Sequence, residues 1–164
     1  MTSNETPVDL WDPDLHIRDA RREDLPRIVA LYRTDELTRK HISGDVAQIE
    51  PGYYAAFEAI ERDSRNRLLV AETGGIIVGS FQLTYVPDMQ PDGREVAMIE
   101  NVIVDGARRG QSIGSEMMRW AVEEARRHGC SQVKLTSSTK RTDAHRFYER
   151  LGFQPTHVGF KILL

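Results

Sequence analysis

A strand, a short basic turn and a long helix follow one another around VIVDGARRGQSIG, residues 102–114, and this order constrains the fold most. The β-branched run before Asp105 is typical of a buried strand. After the turn, SIGSEMMRWAVEEARRHG has apolar residues at helical spacing and a terminal Gly129, and SQVKLTSS predicts another strand. The three elements predict a right-handed crossover between parallel strands, and ligands of such units bind beyond the strands' carboxyl ends.

The rest of the chain alternates between strand and helix patterns. Strands are predicted in LHIRDA, in the hairpin RLLVAET-GG-IIVGSFQLTYV, in REVAMIENVIV and in THVGFKILL, and helices in REDLPRIVALYRT, PGYYAAFEAIERDS and DAHRFYERLG. Residues 1–14 are polar and contain two prolines, which predicts a loose leader. Residues 15–164 are enough for a single domain.

Composition excludes several classes of function. The formal net charge is −3, and no block of like charge predicts a nucleic-acid surface. The one cysteine, Cys130, cannot form an intramolecular disulfide, and no cysteine and histidine cluster has zinc-ligand spacing. No apolar run approaches the ~18 residues of a membrane span, and the N-terminus lacks the features of a signal peptide. We therefore expect a soluble, cytoplasmic protein without a metal.

The basic turn is a candidate anion site. The start of a helix presents unpaired backbone N–H groups and a partial positive charge, and Arg108 and Arg109 add two guanidinium groups. The turn has neither the Gly-Lys-Ser/Thr ending of a nucleotide loop nor a G-x-G-x-x-G pattern, so backbone and arginine would hold a phosphate without an evident Mg²⁺ ligand. On its own, the turn is equally consistent with an ordinary surface bend.

RGQSIG after a V-x-V strand, with AHRFYERLGF about thirty residues later, resembles the GNAT superfamily of acyl-CoA-dependent N-acetyltransferases. The first stretch matches the family's Q/R-x-x-G-x-G/A pyrophosphate loop, and the second its FYE-x-LGF motif. The resemblance implies an α/β fold of the α+β mixed-sheet kind with three layers. In this fold, a mostly antiparallel central sheet has a parallel strand-helix-strand crossover at the CoA site.

The resemblance also implies a CoA slot. Arg109 takes the first position of the loop motif and Gly114 the last, whereas Ser112 stands where the family usually has glycine. The preceding strand would offer its main chain to pantetheine, and a bulge would splay it from the next parallel strand. Many family members have asparagine where this chain has Arg141. The implied cofactor-binding residues are Val102, Ile103, Val104, Arg109, Gly110, Gln111, Ser112, Ile113, Gly114, Arg141 and Tyr148.

Transfer of an acetyl group to an amine requires a base for the ammonium proton and an acid for the departing thiolate. Tyr148 occupies the family position whose phenol faces the cofactor sulfur, which makes it the candidate acid; a core aromatic is the alternative. Glu100 interrupts VAMIENVIV, where a carboxylate is costly unless it faces water or a cavity. It is the candidate base, and a solvent-facing carboxylate without a role is the alternative.

The function predicted from the resemblance is N-acetyl transfer from acetyl-CoA to a primary amine by direct attack in a ternary complex. A non-catalytic acyl-CoA-binding regulatory module on the same fold and a phosphate-binding enzyme outside the family are the alternatives. The sequence leaves the acceptor open between a small-molecule amine and a protein or peptide amine. Because dimers are frequent in the family, a homodimer is also expected, without nucleic-acid or membrane partners.

Overall fold

The computed structural model describes residues 13–35, 49–90 and 92–164. Five strands and four helices lie in these ranges, besides 3₁₀ turns at Arg22–Asp24 and Gly106–Arg108. In chain order they are β1 (His16–Asp19), α1 (Leu25–Thr34), α2 (Pro51–Arg62), β2 (Asn66–Thr73), β3 (Ile76–Val86), β4 (Val96–Val104), α3 (Ile113–His128), β5 (Gln132–Leu135) and α4 (Thr142–Arg150).

The strands form one sheet in the order β1-β2-β3-β4-β5. Neighbouring strands from β1 to β4 are antiparallel, whereas β4 and β5 are parallel and are connected by α3. This arrangement confirms the predicted mixed sheet and its crossover. Gly74 and Gly75 form the β2–β3 turn with φ values of 56° and 76°, which glycine adopts without strain.

Two apolar clusters cover the two faces of the sheet and make the fold three-layered. On one face, α3 packs through Met117 and Ala121 against residues of β2, β3 and β4. On the other face, α1 and α2 pack through Leu31 and Phe57 against Val70 and other sheet residues. Burial of apolar side chains on both faces explains why the central strands are almost continuously hydrophobic.

The predictions for the two ends of the chain have different outcomes. Residues 1–12 of the predicted leader lie outside the described residues. The predicted final strand THVGFKILL is wrong for this structure, because residues 153–164 form no strand and their side chains after Phe153 are exposed. Its alternating apolar residues have the period of a strand but no neighbouring strand in the described chain. No helix within the described ranges is long and apolar enough to cross a membrane.

Candidate active site

A β-bulge in β4 reverses which face of the sheet its side chains occupy. Glu100 pairs with Gln82 and Ile103 with Ser80, so two residues of β4 lie opposite one of β3. Asn101, at this point, has a φ of 54°, which few non-glycine residues adopt. Before the bulge Ile99 packs toward α3, whereas after it Ile103 packs toward α1. By strand alternation, Glu100 therefore lies on the α1 face of the sheet. Val102 and Val104, beyond the bulge, pack toward α3.

The parallel strands β4 and β5 part immediately before this bulge. Their last paired residues are Ile99 and Leu135, while β4 continues unpaired on this side to Val104. The gap is a cavity of about 200 Å³. Its walls are Tyr32, residues 99–103 of β4, residues 136–138 after β5, and Arg141, Ala144 and Tyr148. The splayed strands and the bulge that the family resemblance implies are both present.

Asp105 fixes the turn between β4 and α3. Its backbone N–H donates to Val78 O (2.8 Å), and its carboxylate accepts from Ala107 N (3.0 Å) and from the Arg27 guanidinium (2.5 Å). The Ala107 hydrogen bond, followed by the Arg27 interaction, holds the pKa of Asp105 below its usual value. A carboxylate that stays ionised keeps both interactions and so stabilises the start of the turn.

The loop from Arg109 to Gly114 has the backbone of an anion-binding helix start. Gly110 has a φ of 82°, and residues 109–111 are exposed. Ser112 is the N-cap of α3 with a φ of 59°, and its hydroxyl makes no capping hydrogen bond. The left-handed conformation explains why glycine suits this position, and it leaves the serine hydroxyl available as a donor toward a ligand.

Gly114 lies where three elements meet. A Cβ at this position would be 3.3 Å from Phe147 Cζ of α4 and 3.6 Å from Val104 Cγ2 of β4. The absence of a side chain lets the first turn of α3 approach both elements. The N-terminal N–H groups of α3 are thereby held close to the end of β4, where the pyrophosphate loop and the pantetheine strand of the family would join.

The Tyr148 phenol faces the cavity from α4 and also packs on Phe147 and Phe153. Its burial raises its pKa above the usual value of a tyrosine, and the nearby Arg141 guanidinium opposes this effect. The phenol therefore keeps its proton at neutral pH. The packing expected of a core aromatic and the position expected of a catalytic acid coexist in this residue.

Glu100 is exposed and lines the same cavity as Tyr148. Beside it, Asn101 Nδ2 donates to Gln82 Oε1 (3.4 Å), and Gln82 Nε2 donates to Asn66 Oδ1 (3.2 Å). The Asn101 side-chain amide is thus turned toward Gln82 of the neighbouring strand β3. Among the described residues of the cavity wall, Glu100 contributes the one carboxylate.

Arg141 forms an ion pair with the buried carboxylate of Asp35, at the end of α1. The pair joins the start of α4 to the end of α1. Arg141 also lines the cavity. His145, one turn farther along α4, donates from Nε2 to Ser138 O (2.9 Å). This hydrogen bond holds the cavity loop after β5 against α4.

Sequence reasoning missed four parts of this site: Tyr32, Asp35, Asp105 and the loop 136–138. Tyr32 belongs to the apolar face of α1, and its packing role hides its position at the cavity. Burial raises the pKa of its phenol to about 12, while a hydrogen bond with Ser80 opposes the shift. The polar run TSS after β5 gives a weak indication of the loop's role, since ligands lie beyond the carboxyl ends of parallel strands.

Other reactive groups contribute little to the site. In the described part of the chain, no three His, Cys, Asp or Glu side chains gather as metal ligands. Burial, followed by the charge of Glu95, raises the pKa of Cys130, which opposes thiolate formation. Cys130 packs against the apolar cluster of α3.

Comparison with known proteins gives a consistent picture. A sequence model of the Acetyltransferase (GNAT) family matches residues 18–153. An aminoalkylphosphonate N-acetyltransferase of Salmonella typhimurium is 32% identical over 148 residues, which cover 90% of both chains. A glucosamine 6-phosphate N-acetyltransferase of Trypanosoma brucei brucei is 41% identical over 80 residues, which cover 49% of this chain and 52% of the relative.

A solved structure described as a transcriptional regulator from Bacillus halodurans C-125 is 39% identical in sequence, with a TM-score of 0.87. The match covers 92% of this chain and 99% of the chain in that structure. The family match spans the bulged strand, the loop and the tyrosine helix described above. We conclude that this chain belongs to the GNAT family of acetyltransferases and is an acetyl-CoA-dependent enzyme.

Proposed function

We propose that this enzyme acetylates the primary amine of a small molecule that also carries a phosphonate or phosphate group. The observation that carries the proposal is a cavity of about 200 Å³ to which Glu100, Tyr148 and Arg141 all contribute. A cavity of this size suits a small acceptor better than a folded protein surface. The Glu100 carboxylate and the Arg141 guanidinium complement an acceptor that carries an ammonium and an anion.

The cosubstrate site uses the main chain of β4 and the loop. Beyond Ile99 the strand has no partner on the β5 side, so the peptide groups around Val102 and Val104 are free to pair with the amides of pantetheine. The loop of residues 109–114 and the first turn of α3 supply N–H groups and Arg109 to the pyrophosphate. Acetyl-CoA bound in this way delivers its thioester at the bulge, where Glu100 and Tyr148 lie.

Two proton transfers are assigned to side chains of the cavity. The Glu100 carboxylate removes a proton from the acceptor ammonium, directly or through water, so that the amine gains the lone pair needed for attack. As the amine nitrogen bonds to the acetyl carbon and the thioester C–S bond breaks, the Tyr148 phenol donates its proton to the thiolate. The surplus proton of the new amide nitrogen returns to the phenolate through water, and the proton taken by Glu100 is released to solvent. The raised pKa of Tyr148 keeps that proton available throughout the neutral range.

Arg141 is assigned to the anion of the acceptor. One of its terminal nitrogens binds Asp35, which orients the guanidinium and leaves further N–H groups for a phosphorus oxyanion. The activities named for two relatives, on an aminoalkylphosphonate and on glucosamine 6-phosphate, both involve an amine and such an oxyanion. Both observations support the same acceptor class.

The test is a panel of amines assayed by release of free thiol from acetyl-CoA. We expect aminomethylphosphonate and glucosamine 6-phosphate to have values of kcat/KM about 30- to 150-fold higher than methylamine and glucosamine, since a charge-assisted pair contributes roughly 2–3 kcal/mol. Arg141→Met should remove most of this preference and leave the neutral amines unchanged. Equal kcat/KM values for charged and neutral acceptors would contradict the assignment.

The alternative of a non-catalytic acyl-CoA-binding module does not hold, because the GNAT family match and the N-acetyltransferase relatives make this chain an acetyl-CoA-dependent enzyme. Cytoplasmic location and a single domain over residues 15–164 stay predictions.

A further inference from the structure

The Arg27 side chain of α1 links the end of β4 to the neighbouring strand β3. Its Nε donates to Ile77 O of β3 (3.0 Å), and its Nη2 donates to the Asp105 carboxylate (2.5 Å). Asp105 in turn donates from its backbone N–H to Val78 O, the next carbonyl along β3 (2.8 Å). These three hydrogen bonds close a ring that joins α1, β3 and the residue after β4.

Asp105 passes this restraint on to the turn that follows it. Its carboxylate accepts from Ala107 N (3.0 Å), and its carbonyl oxygen accepts from Arg108 N (2.9 Å). Residues 109–111, which come next, are exposed and lead into the start of α3. The conformation of an exposed loop depends on how its two ends are held, and Arg27 holds the first of these ends.

Arg27 also balances a charge that would oppose binding of the cosubstrate. The Asp105 carboxylate lies at the start of the loop to which we assign the pyrophosphate, and like charges repel more strongly where water is partly excluded. The Asp105 side chain is 22% exposed, and its ion pair with Arg27 opposes this repulsion. The same guanidinium therefore orients the turn and lowers its negative potential.

We propose that Arg27 is a positioning residue for the cosubstrate. It holds Asp105, and through Asp105 the loop of residues 109–114, in the conformation that binds the pyrophosphate of acetyl-CoA. Arg27 is not among the residues of the cavity wall, so this role is separate from proton transfer and from recognition of the acceptor. The inference rests on the proposed cosubstrate site, in which the loop binds the pyrophosphate.

The test compares CoA with pantetheine, which lacks the pyrophosphate and the nucleotide, by calorimetry. Arg27→Met should raise the dissociation constant of CoA about 10-fold, because a partly exposed charge-assisted pair is lost and the loop must be ordered on binding. The dissociation constant of pantetheine should stay within about 2-fold of the wild-type value. A purely structural role of Arg27 would change both constants together or neither.

Two further variants sharpen the comparison. Arg27→Lys keeps the charge but cannot bind Ile77 O and Asp105 with one planar fork, so it should raise the dissociation constant of CoA only about 3-fold. Arg22→Met is the matched control, since it removes an exposed ion pair with Glu58 of α2 (2.8 Å) at the start of the same helix. It should leave both constants unchanged.

Hydrogen exchange of the ligand-free enzyme measures the loop directly. The amides of residues 106–112 should exchange faster in Arg27→Met than in the wild type, and unchanged exchange overturns the inference. It is also overturned if the wild type prefers CoA over pantetheine and Arg27→Met keeps the whole preference, or if the variant loses affinity for both ligands equally. If the wild type binds CoA no more tightly than pantetheine, the proposed pyrophosphate site fails, and the inference fails with it.

Discussion

At the scale of single residues, Ser112 connects sequence and conformation most clearly. The family motif has glycine at this position, and the structure shows a φ of 59° there. A Cβ in the left-handed region costs about 1–2 kcal/mol, because it approaches the following carbonyl oxygen. The chain tolerates this cost at the start of α3, where the helix N–H groups face the loop.

Ser112→Gly should therefore raise the free energy of unfolding by about 1 kcal/mol in a denaturant titration. Acetyl-CoA binding, measured by calorimetry, should be equal or tighter, because the loop keeps its conformation. The matched control is Ser115→Gly in the first turn of α3, which should lower stability by about 0.5 kcal/mol through helix propensity. A loss of stability in Ser112→Gly would show that the serine side chain supports the loop.

Tyr148 carries a prediction with a pH dependence. Burial raises its pKa above the usual value of a tyrosine, so the protonated phenol needed to release the thiolate persists through the neutral and mildly alkaline range. Tyr148→Phe should lower kcat about 100-fold with little change in the dissociation constant of acetyl-CoA. The loss should be uniform from about pH 6 to pH 9, since the phenol does not titrate in this range.

The control for this variant is Tyr54→Phe, whose ring lies against Arg22 outside the cavity. It should keep the wild-type kcat. If Tyr148→Phe turns over at the full rate, the phenol has only its packing role, and the thiolate leaves without this acid.

At the scale of elements, local patterns predicted the periodic segments, whereas only the family resemblance implied the bulge in β4. The crossover through α3 and the β2–β3 hairpin follow from apolar spacing and from glycine at the turn, because local patterns determine them. The bulge at Asn101 has no sequence pattern of its own. It depends on the register of β3 against β4, which is a contact between distant residues.

The segment of residues 156–164 shows the converse limit. Its alternation predicts a strand, yet a strand needs a neighbour that supplies hydrogen bonds, and the neighbour is not part of the pattern. The same argument explains the site residues that were missed. Tyr32 looks like a core residue of α1, and only the packing of α1 across the sheet places it beside Glu100.

At the scale of the whole molecule, the cavity is assembled from segments far apart in the chain. α1 contributes Tyr32 and the Asp35 partner of Arg141, whereas β4, the loop after β5 and α4 contribute the remaining wall. The sheet brings these segments together because β4 and β5 pair only as far as Ile99 and Leu135. In the proposed mechanism, binding and proton transfer both depend on the point where β4 and β5 separate.

The central claim is that the cavity between β4 and β5 holds a catalytic base. The pH profile of kcat for wild type and Glu100→Gln tests this claim most directly. With aminomethylphosphonate and acetyl-CoA, we predict a loss of about 100-fold in Glu100→Gln at neutral pH. The loss should shrink toward about pH 10, where the amine deprotonates without help. Glu61→Gln, exposed on α2, should match wild type. Identical profiles for Glu100→Gln and wild type at every pH would contradict the account.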